Sequence, residues 1–222
     1  MSEVIFNGPE GRIEGLYYHA RDNAPIALLL HPYPKQGGTM NNRVTYRMHQ
    51  TFLRHGFSTL RFNFRGVGRS QGSFDNGPGE CSDAAAALDW MQSHNPGTPE
   101  CWVAGFSFGA WIGMQLLMRR PEISRFISIA PPVNLFDFNF LAPCPTSGLI
   151  VHGRQDEVIP EEAVAKLAAK LMSQRRIDVD YRVIPGADHL FSNKLDQLLK
   201  HVENYLATTR EAPEAPKDKD KG

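Results

Sequence analysis

Apolar residues follow two alternating patterns along the chain. Short apolar runs bounded by turn residues predict strands, and longer stretches with apolar positions three or four residues apart predict helices. The predicted strands are Ser2–Phe6, Arg12–His19, Ile26–His31, Phe57–Phe64, Cys101–Phe106, Phe126–Ala130, Gly148–His152 and Val179–Ile184. The predicted helices are Asn42–His55, Cys81–Ser93, Phe108–Arg119, Glu161–Gln174 and Asn193–Leu206.

The order of these elements predicts an α/β fold. The first two strands flank the turn Asn7-Gly8-Pro9 and are expected to form an antiparallel hairpin. The later strands alternate with helices, which predicts a mainly parallel, twisted sheet with helices on both faces. Ligands of such sheets bind beyond the carboxyl ends of the strands. Residues directly after each strand are therefore the first candidates for chemistry.

Length and composition indicate one globular domain followed by a tail. The chain has 222 residues, of which 41% are hydrophobic and 22% are charged. Residues 1–208 are expected to form the domain, which is large enough to bury a substantial core. From Arg210 to Gly222 there is no large apolar side chain, so residues 209–222 are predicted to be a disordered tail.

Charge and cysteine content exclude several classes of function. The 24 Lys and Arg residues balance 24 Asp and Glu residues, which excludes an electrostatically driven nucleic-acid binder. Cys101–Met118 carries no charge, but its glycines indicate a buried strand followed by a buried helix, so no membrane partner is expected. Three cysteines make no disulfide framework, and the N-terminus shows no secretory signal. We therefore expect a cytoplasmic protein.

The segment Gly105-Phe106-Ser107-Phe108-Gly109 carries the clearest chemical signal. It is a G-x-S-x-G sequence between an apolar strand and an apolar helix, the setting of a nucleophile elbow. The glycines are needed because the tight turn brings neighbouring backbone close to them. Ser107 is therefore the candidate nucleophile. The alternative is a packing turn in which the serine only caps the helix.

A serine hydroxyl needs a base to take its proton, and His189 is the candidate among eight histidines. It follows the last predicted strand and precedes the last predicted helix, as the base does in the chain order nucleophile, acid, base. His31 and His152 also end strands, but each is joined directly to the strand body. The others are expected on surface loops or helices: His19, His49, His55, His94 and His201.

An orienting carboxylate holds the base in the correct tautomer, and Asp156 is the candidate. It lies in the loop after Gly148–His152, shortly before Pro160, where the next helix is expected to begin. The alternative for Asp156 is a turn or helix-capping role, and Glu157 and Asp137 are rival carboxylates. Nucleophile, acid and base each follow a strand in the expected order, which favours Asp156.

These motifs make residues 2–207 resemble the α/β-hydrolase superfamily, with greatest similarity to small, cap-poor serine hydrolases related to the dienelactone-hydrolase and prolyl-oligopeptidase-like groups. The segment Asn63–Gly72 also matches the R-G-x-G-x-S loop common in this superfamily. The resemblance implies an oxyanion hole formed by the backbone N–H groups of Phe108 and Tyr33. Tyr33 lies in the loop after an early strand, where neighbouring prolines have no N–H to donate. Dienelactone hydrolases have a cysteine where this chain has Ser107.

The interval between the strand after the nucleophile helix and the strand before the acid is too short for a lid domain. It spans 17 residues, Pro131–Ser147, so no large cap is expected. Its aromatic residues pack against the sheet edge or form an apolar substrate pocket with residues near the nucleophile and base. The candidate pocket residues are Phe106, Phe136, Phe138, Phe140, Leu190 and Phe191. A shallow, open site favours short acyl groups.

The sequence therefore predicts a serine carboxylesterase for small, fairly apolar, short-acyl esters, with no metal and no organic cofactor. A thioesterase or a short-peptide hydrolase on the same triad is an alternative. A non-catalytic binding protein on the same fold is an alternative of another class, because fold alone does not determine function. The final strand, Val179–Ile184, is a candidate edge for pairing in a homo-oligomer.

Overall fold

Continuous apolar runs form the centre of the sheet in the computed structural model, which describes residues 1–211. Four strands are buried at every position, as expected for strands covered by helices on both faces: β3 (Ile26–Leu30), β4 (Ser58–Phe62), β5 (Cys101–Phe106) and β7 (Gly148–Gly153). The other strands are β1 (Ser2–Gly8), β2 (Gly11–Tyr18), β6 (Ile123–Ile129) and β8 (Val179–Ile184).

The eight strands form one sheet in the order β1-β2-β4-β3-β5-β6-β7-β8. β2 is antiparallel to β1 and to β4, and the remaining pairs are parallel. The predicted N-terminal hairpin and the mainly parallel sheet are both confirmed. Because β5, β6, β7 and β8 are parallel neighbours, the loops that follow them lie side by side at one edge of the sheet.

Helices cover both faces of the sheet, as predicted. They are α1 (Arg43–Arg54), α2 (Pro78–Ser93), α3 (Phe108–Leu117), α4 (Glu161–Met172) and α5 (Leu195–Glu211). The side chains of β3 show how the faces divide, because Leu28 and Leu30 join the core under α2, α3 and α4. Ala27 and Leu29 point the other way into the core under α1 and α5.

Two boundaries extend beyond their predicted positions for local reasons. α2 begins at Pro78 rather than Cys81, because proline suits the first turn of a helix. The Glu80 carboxylate also accepts the Gly77 N–H at 2.7 Å, which satisfies a backbone donor at this end of the helix. α5 ends at Glu211 and so includes residues 209–211 of the predicted tail. Residues 212–222 of that tail lie outside the described residues.

The short connection between β6 and β7 contains no helix or strand, so the expected absence of a large cap is confirmed. The uncharged stretch Cys101–Met118 is divided between β5 and α3. Among residues 1–211, no helix has the combined length and apolarity needed to cross a membrane.

Candidate active site

Ser107 lies at the sharp turn between β5 and α3, in a backbone conformation that non-glycine residues rarely adopt. Its φ is 53° and its ψ is −119°. A Cβ atom on Gly105 would lie 2.2 Å from the Gly109 carbonyl oxygen, and one on Gly109 would lie 2.3 Å from the Leu30 oxygen. The two glycines of the motif therefore allow three backbone segments to meet beneath the serine.

Ser107, His189 and Asp156 form a continuous chain of hydrogen bonds. Nδ1 of His189 lies 2.7 Å from Oδ2 of Asp156, and its Nε2 lies 3.1 Å from Oγ of Ser107. An ionised carboxylate only accepts hydrogen bonds, so the imidazole proton lies on Nδ1. Nε2 is then free to accept the serine proton, which is the arrangement of a Ser-His-Asp triad.

The Asp156 carboxylate is buried and held on both oxygens. Its Oδ1 accepts the backbone N–H groups of Val158 and Ile159, each at 2.9 Å. Burial by itself raises the pKa of Asp156, but hydrogen bonds from His189 and the Ile159 N–H outweigh it and hold the pKa below its usual value. Asp156 is therefore a stable anion facing the imidazole.

The two rival carboxylates lie elsewhere. Glu157 is exposed, and the hydrogen bond to Nδ1 of His189 is made by the neighbouring Asp156. Asp137 is also exposed, and its Oδ1 accepts the Asn139 N–H at 2.9 Å within its own loop. Of the three carboxylates considered from the sequence, the structure brings Asp156 to the histidine.

The two predicted oxyanion donors lie on different segments, the start of α3 and the loop after β3. Phe108 is the first residue of α3, so its N–H belongs to the helix N-terminus, where backbone donors have no partner within the helix. Tyr33 follows β3 and lines the same cavity as Ser107. The positive end of the α3 dipole also favours negative charge at this point.

His31 determines the orientation of the peptide that carries the Tyr33 N–H. The Phe64 N–H donates to Nε2 of His31 at 3.1 Å, so the imidazole proton is on Nδ1. Nδ1 donates to the Pro32 carbonyl oxygen at 2.7 Å. In a trans peptide the C=O and the next N–H point in opposite directions. The bond to Pro32 therefore turns the Tyr33 N–H away from His31.

A small cavity of about 90 Å³ opens beside Ser107 and His189. Its wall is mainly apolar or backbone, with two side-chain amides. The lining residues are Pro32, Tyr33, Gln36, Gly37, Gly38, Asn42, Phe106, Ser107, His189 and Leu190. The volume corresponds to about three water molecules at the density of the liquid. A substituent of a few non-hydrogen atoms fills it.

The aromatic residues considered for a pocket separate into different environments. Phe106 and Leu190 line the cavity, whereas Phe191 is fully buried in the core, where its backbone φ of 52° turns the ring inward. Phe136 stacks on Trp111 at 4.2 Å between ring centroids and contacts Phe108. The remaining two rings stack on each other outside the cavity: Phe138 and Phe140.

Several residues near the nucleophile carry no motif of their own. Gln36, Gly38 and Asn42 line the cavity because a turn of 3-10 helix at Pro34–Gln36 folds the loop back towards the nucleophile. His152 is fully buried at the end of β7, beside Asp156. In the sequence, only its position four residues before Asp156 relates His152 to the site.

Within the described residues, no group of three or more histidine, cysteine, aspartate or glutamate side chains is arranged to hold a metal ion. The three cysteines are unpaired and buried. Burial raises the pKa of Cys101 to about 12, so its thiol stays protonated.

Comparison with known proteins places the chain in a family. Residues 19–211 match the family of X-Pro dipeptidyl-peptidases (S15 family). The chain belongs to the S15 family, within the α/β-hydrolase superfamily. This S15-family chain is also 52% identical over 213 residues to an uncharacterised protein of Rickettsia prowazekii (strain Madrid E), an alignment that covers 94% of this chain and 90% of the relative.

Two solved structures extend the comparison of the S15-family chain. A protein of unknown function from Agrobacterium tumefaciens is 56% identical with a TM-score of 0.94, and the match covers 97% of this chain and 100% of the other. An α/β serine hydrolase without a lid from Xanthomonas campestris is 30% identical with a TM-score of 0.85, covering 97% and 96% of the two chains. The chain is an α/β serine hydrolase that lacks a large cap.

Proposed function

We propose that this S15-family chain is a serine carboxylesterase that hydrolyses small esters with short acyl groups. The observation that carries the proposal is the hydrogen-bonded series Ser107, His189, Asp156 beside a cavity of about 90 Å³. A cavity of this size accommodates an acetyl to butanoyl group, and none of the described side chains that line it is acidic.

In the proposed reaction, the Ser107 hydroxyl attacks the ester carbonyl carbon while Nε2 of His189 takes its proton. The negative oxygen of the tetrahedral intermediate accepts hydrogen bonds from the Phe108 and Tyr33 N–H groups. One such donor lowers the barrier by about 2.7–4 kcal/mol. His189 then returns the proton to the alcohol as the C–O bond breaks, which leaves an acyl-serine. Water, activated by the same histidine, releases the acid and restores Ser107.

The family description raises peptide hydrolysis as a second candidate. An enzyme that removes X-Pro dipeptides must recognise the free α-ammonium group of its substrate, and a carboxylate is the natural partner for that charge. Among the described residues, none that line the cavity is acidic. This favours an uncharged ester over a dipeptide. Thioesters remain chemically accessible to the same triad, and a non-catalytic binding role is the remaining alternative.

The test is a panel of p-nitrophenyl esters of increasing acyl length, with Gly-Pro-p-nitroanilide and acyl thioesters in parallel. We expect the acetate to butanoate esters to be fastest and the dipeptide anilide to show no turnover above background. A fluorophosphonate should add covalently to the wild-type protein and not to Ser107→Ala. The exposed Ser192→Ala variant is the matched control and should label normally.

The panel also separates the alternatives. Faster turnover of the dipeptide anilide or the thioester than of every ester would replace the carboxylesterase assignment. No turnover of any activated substrate would favour a binding role, and labelling that persists in Ser107→Ala would remove Ser107 as the nucleophile.

We also propose a cytoplasmic location, because Cys81, Cys101 and Cys144 are buried free thiols. Pairing of two chains through β8 stays a prediction. Asp180 and Arg182 form an ion pair on this outermost strand, and charged edge strands discourage pairing. Cell fractionation and light scattering test these two statements.

A further inference from the structure

Exposed aliphatic side chains concentrate around the candidate triad. Among the described residues, four Leu, Ile or Val side chains are exposed, namely Ile5, Leu135, Val158 and Leu190. Three of them lie on the loops after β6, β7 and β8, which are neighbouring parallel strands. We refer to Leu135, Val158 and Leu190 as the apolar rim. Exposed aliphatic residues grouped at one edge of a sheet indicate a binding surface.

The apolar rim is joined to the nucleophile by a series of contacts. Leu190 follows His189 and lines the cavity with Ser107. Val158 is two residues from Asp156 and donates its N–H to that carboxylate at 2.9 Å. The side chain of Asn134, next to Leu135, donates to the Val158 carbonyl oxygen at 3.0 Å. One rim residue therefore follows the base, the second lies two residues after the acid, and the third lies on a loop hydrogen-bonded to the second.

The position of the rim relates it to one half of an ester. His189 must return a proton to the leaving alcohol, so the alcohol oxygen lies beside His189, where the rim begins. The acyl group then occupies the cavity of about 90 Å³, which is too small for a long chain. The two halves of the substrate thus meet different surroundings, one a small cavity and the other an exposed aliphatic surface.

We propose that the preferred substrates are esters of a short acyl group with a longer unbranched aliphatic alcohol, whose alkyl chain lies along the apolar rim. This inference rests on the proposed esterase function. Transfer of each methylene from water to the rim should raise kcat/KM about twofold until the chain outgrows the rim. The alkyl chain of the alcohol is uncharged, so its binding requires no charged side chain, in keeping with the neutral composition of the protein.

The experiment compares three isomeric esters of one molecular formula, so that total hydrophobicity is constant. Octyl acetate places the long chain on the alcohol, methyl nonanoate places it on the acyl group, and pentyl pentanoate divides it. Hydrolysis is followed by release of acid, with ethyl acetate as the short reference. We expect octyl acetate to exceed ethyl acetate at least tenfold in kcat/KM, and to exceed both isomers.

Variants then test the rim itself. In Leu135→Gln/Val158→Gln, the ratio of kcat/KM for octyl acetate to that for ethyl acetate should fall about fivefold, because the alkyl chain loses apolar surface. Ile5→Gln is the matched control, since Ile5 is equally exposed but lies on the opposite edge strand β1. Its ratio should not change. Leu135→Ala provides a second rim variant with a smaller perturbation.

The outcomes separate the two levels of the proposal. No hydrolysis of ethyl acetate or any activated ester contradicts the esterase function itself. Hydrolysis in which methyl nonanoate is the best isomer, or in which chain length has no effect, overturns the assignment of the rim to the alcohol. An unchanged ratio of kcat/KM values in the rim variants also overturns it. If those variants also differ from the wild type in solution mass or in binding to neutral phosphatidylcholine vesicles, the rim is a protein or lipid contact instead.

A second inference comes from an imidazole outside the triad. His152 is fully buried, and its Nε2 lies 3.0 Å from the Ile159 carbonyl oxygen and 3.8 Å from Oδ2 of Asp156. Its Nδ1 is buried without a hydrogen-bond partner. Since a carbonyl only accepts, the His152 proton lies on Nε2, directed towards the acid loop. Leaving a buried nitrogen without a partner is costly, so packing alone would favour an apolar residue here.

The contact closes a small ring around the candidate acid. Ile159 donates its N–H to Asp156 at 2.9 Å and accepts from His152 through its C=O. The N–H of Ile159 is thus held by Asp156 in the loop, and its C=O is held by His152 on β7. We infer that His152 is a positioning residue, which keeps Asp156 in line with His189. This inference is independent of the apolar rim and requires only that the triad is catalytic.

Substitutions that mimic one nitrogen at a time test this role. The amide of His152→Gln reaches the position of Nε2 and can donate to Ile159, whereas that of His152→Asn reaches the position of Nδ1. We expect kcat to fall about tenfold or more in His152→Asn and His152→Leu, with KM within about twofold, because a misplaced acid affects the transition state more than binding. His152→Gln should retain most of the activity.

Rescue by the conservative variant distinguishes positioning from simple structural support. The charged or titratable groups facing His152 are Asp156, His189 and Glu161. If Asp156 is misplaced, kcat should fall with little change in KM in His152→Leu, and His152→Gln should restore kcat. Equal losses in the Gln and Leu variants, or a change in KM alone, would contradict the inference. Thermal melts of each variant identify any loss that is due to unfolding.

Discussion

The imidazole of His31 donates to the carbonyl oxygen of the next residue, Pro32, across 2.7 Å, while its other nitrogen accepts the Phe64 N–H. This pair of bonds connects the end of β3 to the segment after β4. It also orients the peptide that supplies the Tyr33 N–H. In the proposed oxyanion site, a buried histidine side chain therefore orients the backbone donor.

Replacing His31 should reduce turnover without reducing binding. His31→Phe retains most of the volume but loses both hydrogen bonds, so the Tyr33 N–H is no longer held towards the developing oxyanion. We expect kcat to fall about a hundredfold with KM within about threefold, since the lost interaction forms only in the transition state. Steady-state kinetics on p-nitrophenyl acetate measure this. The exposed His94→Phe is the control, and an equal loss there would contradict the assignment.

The backbone of Leu30 lies so close to Gly109 that a Gly109→Ala substitution should not be tolerated. In Gly109→Ala the Cβ atom would lie 2.3 Å from the Leu30 oxygen, so α3 must shift away from β3 and the elbow must move. We expect loss of measurable esterase activity and a drop in stability of about 1–3 kcal/mol.

Gly113→Ala, on the same helix, is the matched control. Its Cβ would meet the Val103 side chain at 3.2 Å, a contact that a small side-chain shift relieves. Alanine is a better helix former, so stability should change by less than about 1 kcal/mol and activity should persist. Thermal melts and ester kinetics measure both variants, and equal behaviour of the two alanines would count against the backbone argument.

Stability should fall in mild acid because two histidines are buried in the neutral form. Burial lowers the pKa of His31 to about 4, and burial with the nearby Arg61 cation lowers that of His49 to about 4, against 6.5 for an exposed histidine. Between these pH values the unfolded chain binds more protons than the folded chain, so acidification favours unfolding. The stability present above pH 6.5 is lost as the pH falls to about 4. For His31 this amounts to about 3 kcal/mol.

Thermal melts between pH 6.5 and pH 4 test this, with His49→Leu as the informative variant. His49 is distant from the candidate triad in the chain and lies on α1, so its removal should flatten the pH dependence without removing the nucleophile. The decline in Tm should be shallower than in the wild type. An identical decline would exclude His49 as a contributor.

Removing one partner of the buried ion pair between Arg65 and Asp83 should lower the free energy of unfolding by several kcal/mol. Nε and Nη2 of Arg65 donate to the two oxygens of Asp83 at 3.0 and 2.8 Å. Asp83→Asn leaves the buried guanidinium without its buried counterion and with only the half-exposed Glu10, and we expect a loss of about 3–5 kcal/mol in the free energy of unfolding.

Glu10→Gln removes the other, half-exposed carboxylate near Arg65 and is the matched control. Its loss should cost less than about 1 kcal/mol, as for a surface pair. Urea denaturation measures both variants. A loss at Asp83 no larger than that at Glu10 would contradict a structural role for the pair in anchoring the R-G-x-G-x-S loop.

Local patterns predicted the bounds of two strands where the chain turns sharply at their ends. β5 ends before Ser107, at the turn into α3, and β8 ends before Pro185. β6 begins three residues earlier than predicted, because Ile123 and Arg125 pair with β5 although Ser124 and Arg125 carry no apolar signal. Edge and pairing effects of this kind depend on the neighbouring strand, which a local window does not include.

In the candidate site, too, some residues are predictable from their position in the sequence and others only from their contacts in the fold. Ser107, Asp156 and His189 were predicted because each follows a strand in a recognisable order. The proposed roles of His31 and His152 are not predictable from the sequence, because each depends on a single contact, to Pro32 and to Ile159, that residue spacing does not indicate. The alternation of Phe136, Phe138 and Phe140 suggested one aromatic wall. Instead, Phe136 packs on Trp111, and Phe138 and Phe140 stack on each other.

The three residues of the triad come from loops after three different strands, and Ser107 and His189 are 82 positions apart in the chain. None of their mutual distances is set by local structure. During refolding, helices can therefore return while the reaction centre is still dispersed. Recovery of ester hydrolysis would mark the moment when β5, β7 and β8 reach their final alignment. Recovery of activity would therefore report the alignment of these three strands, which recovery of helix content does not.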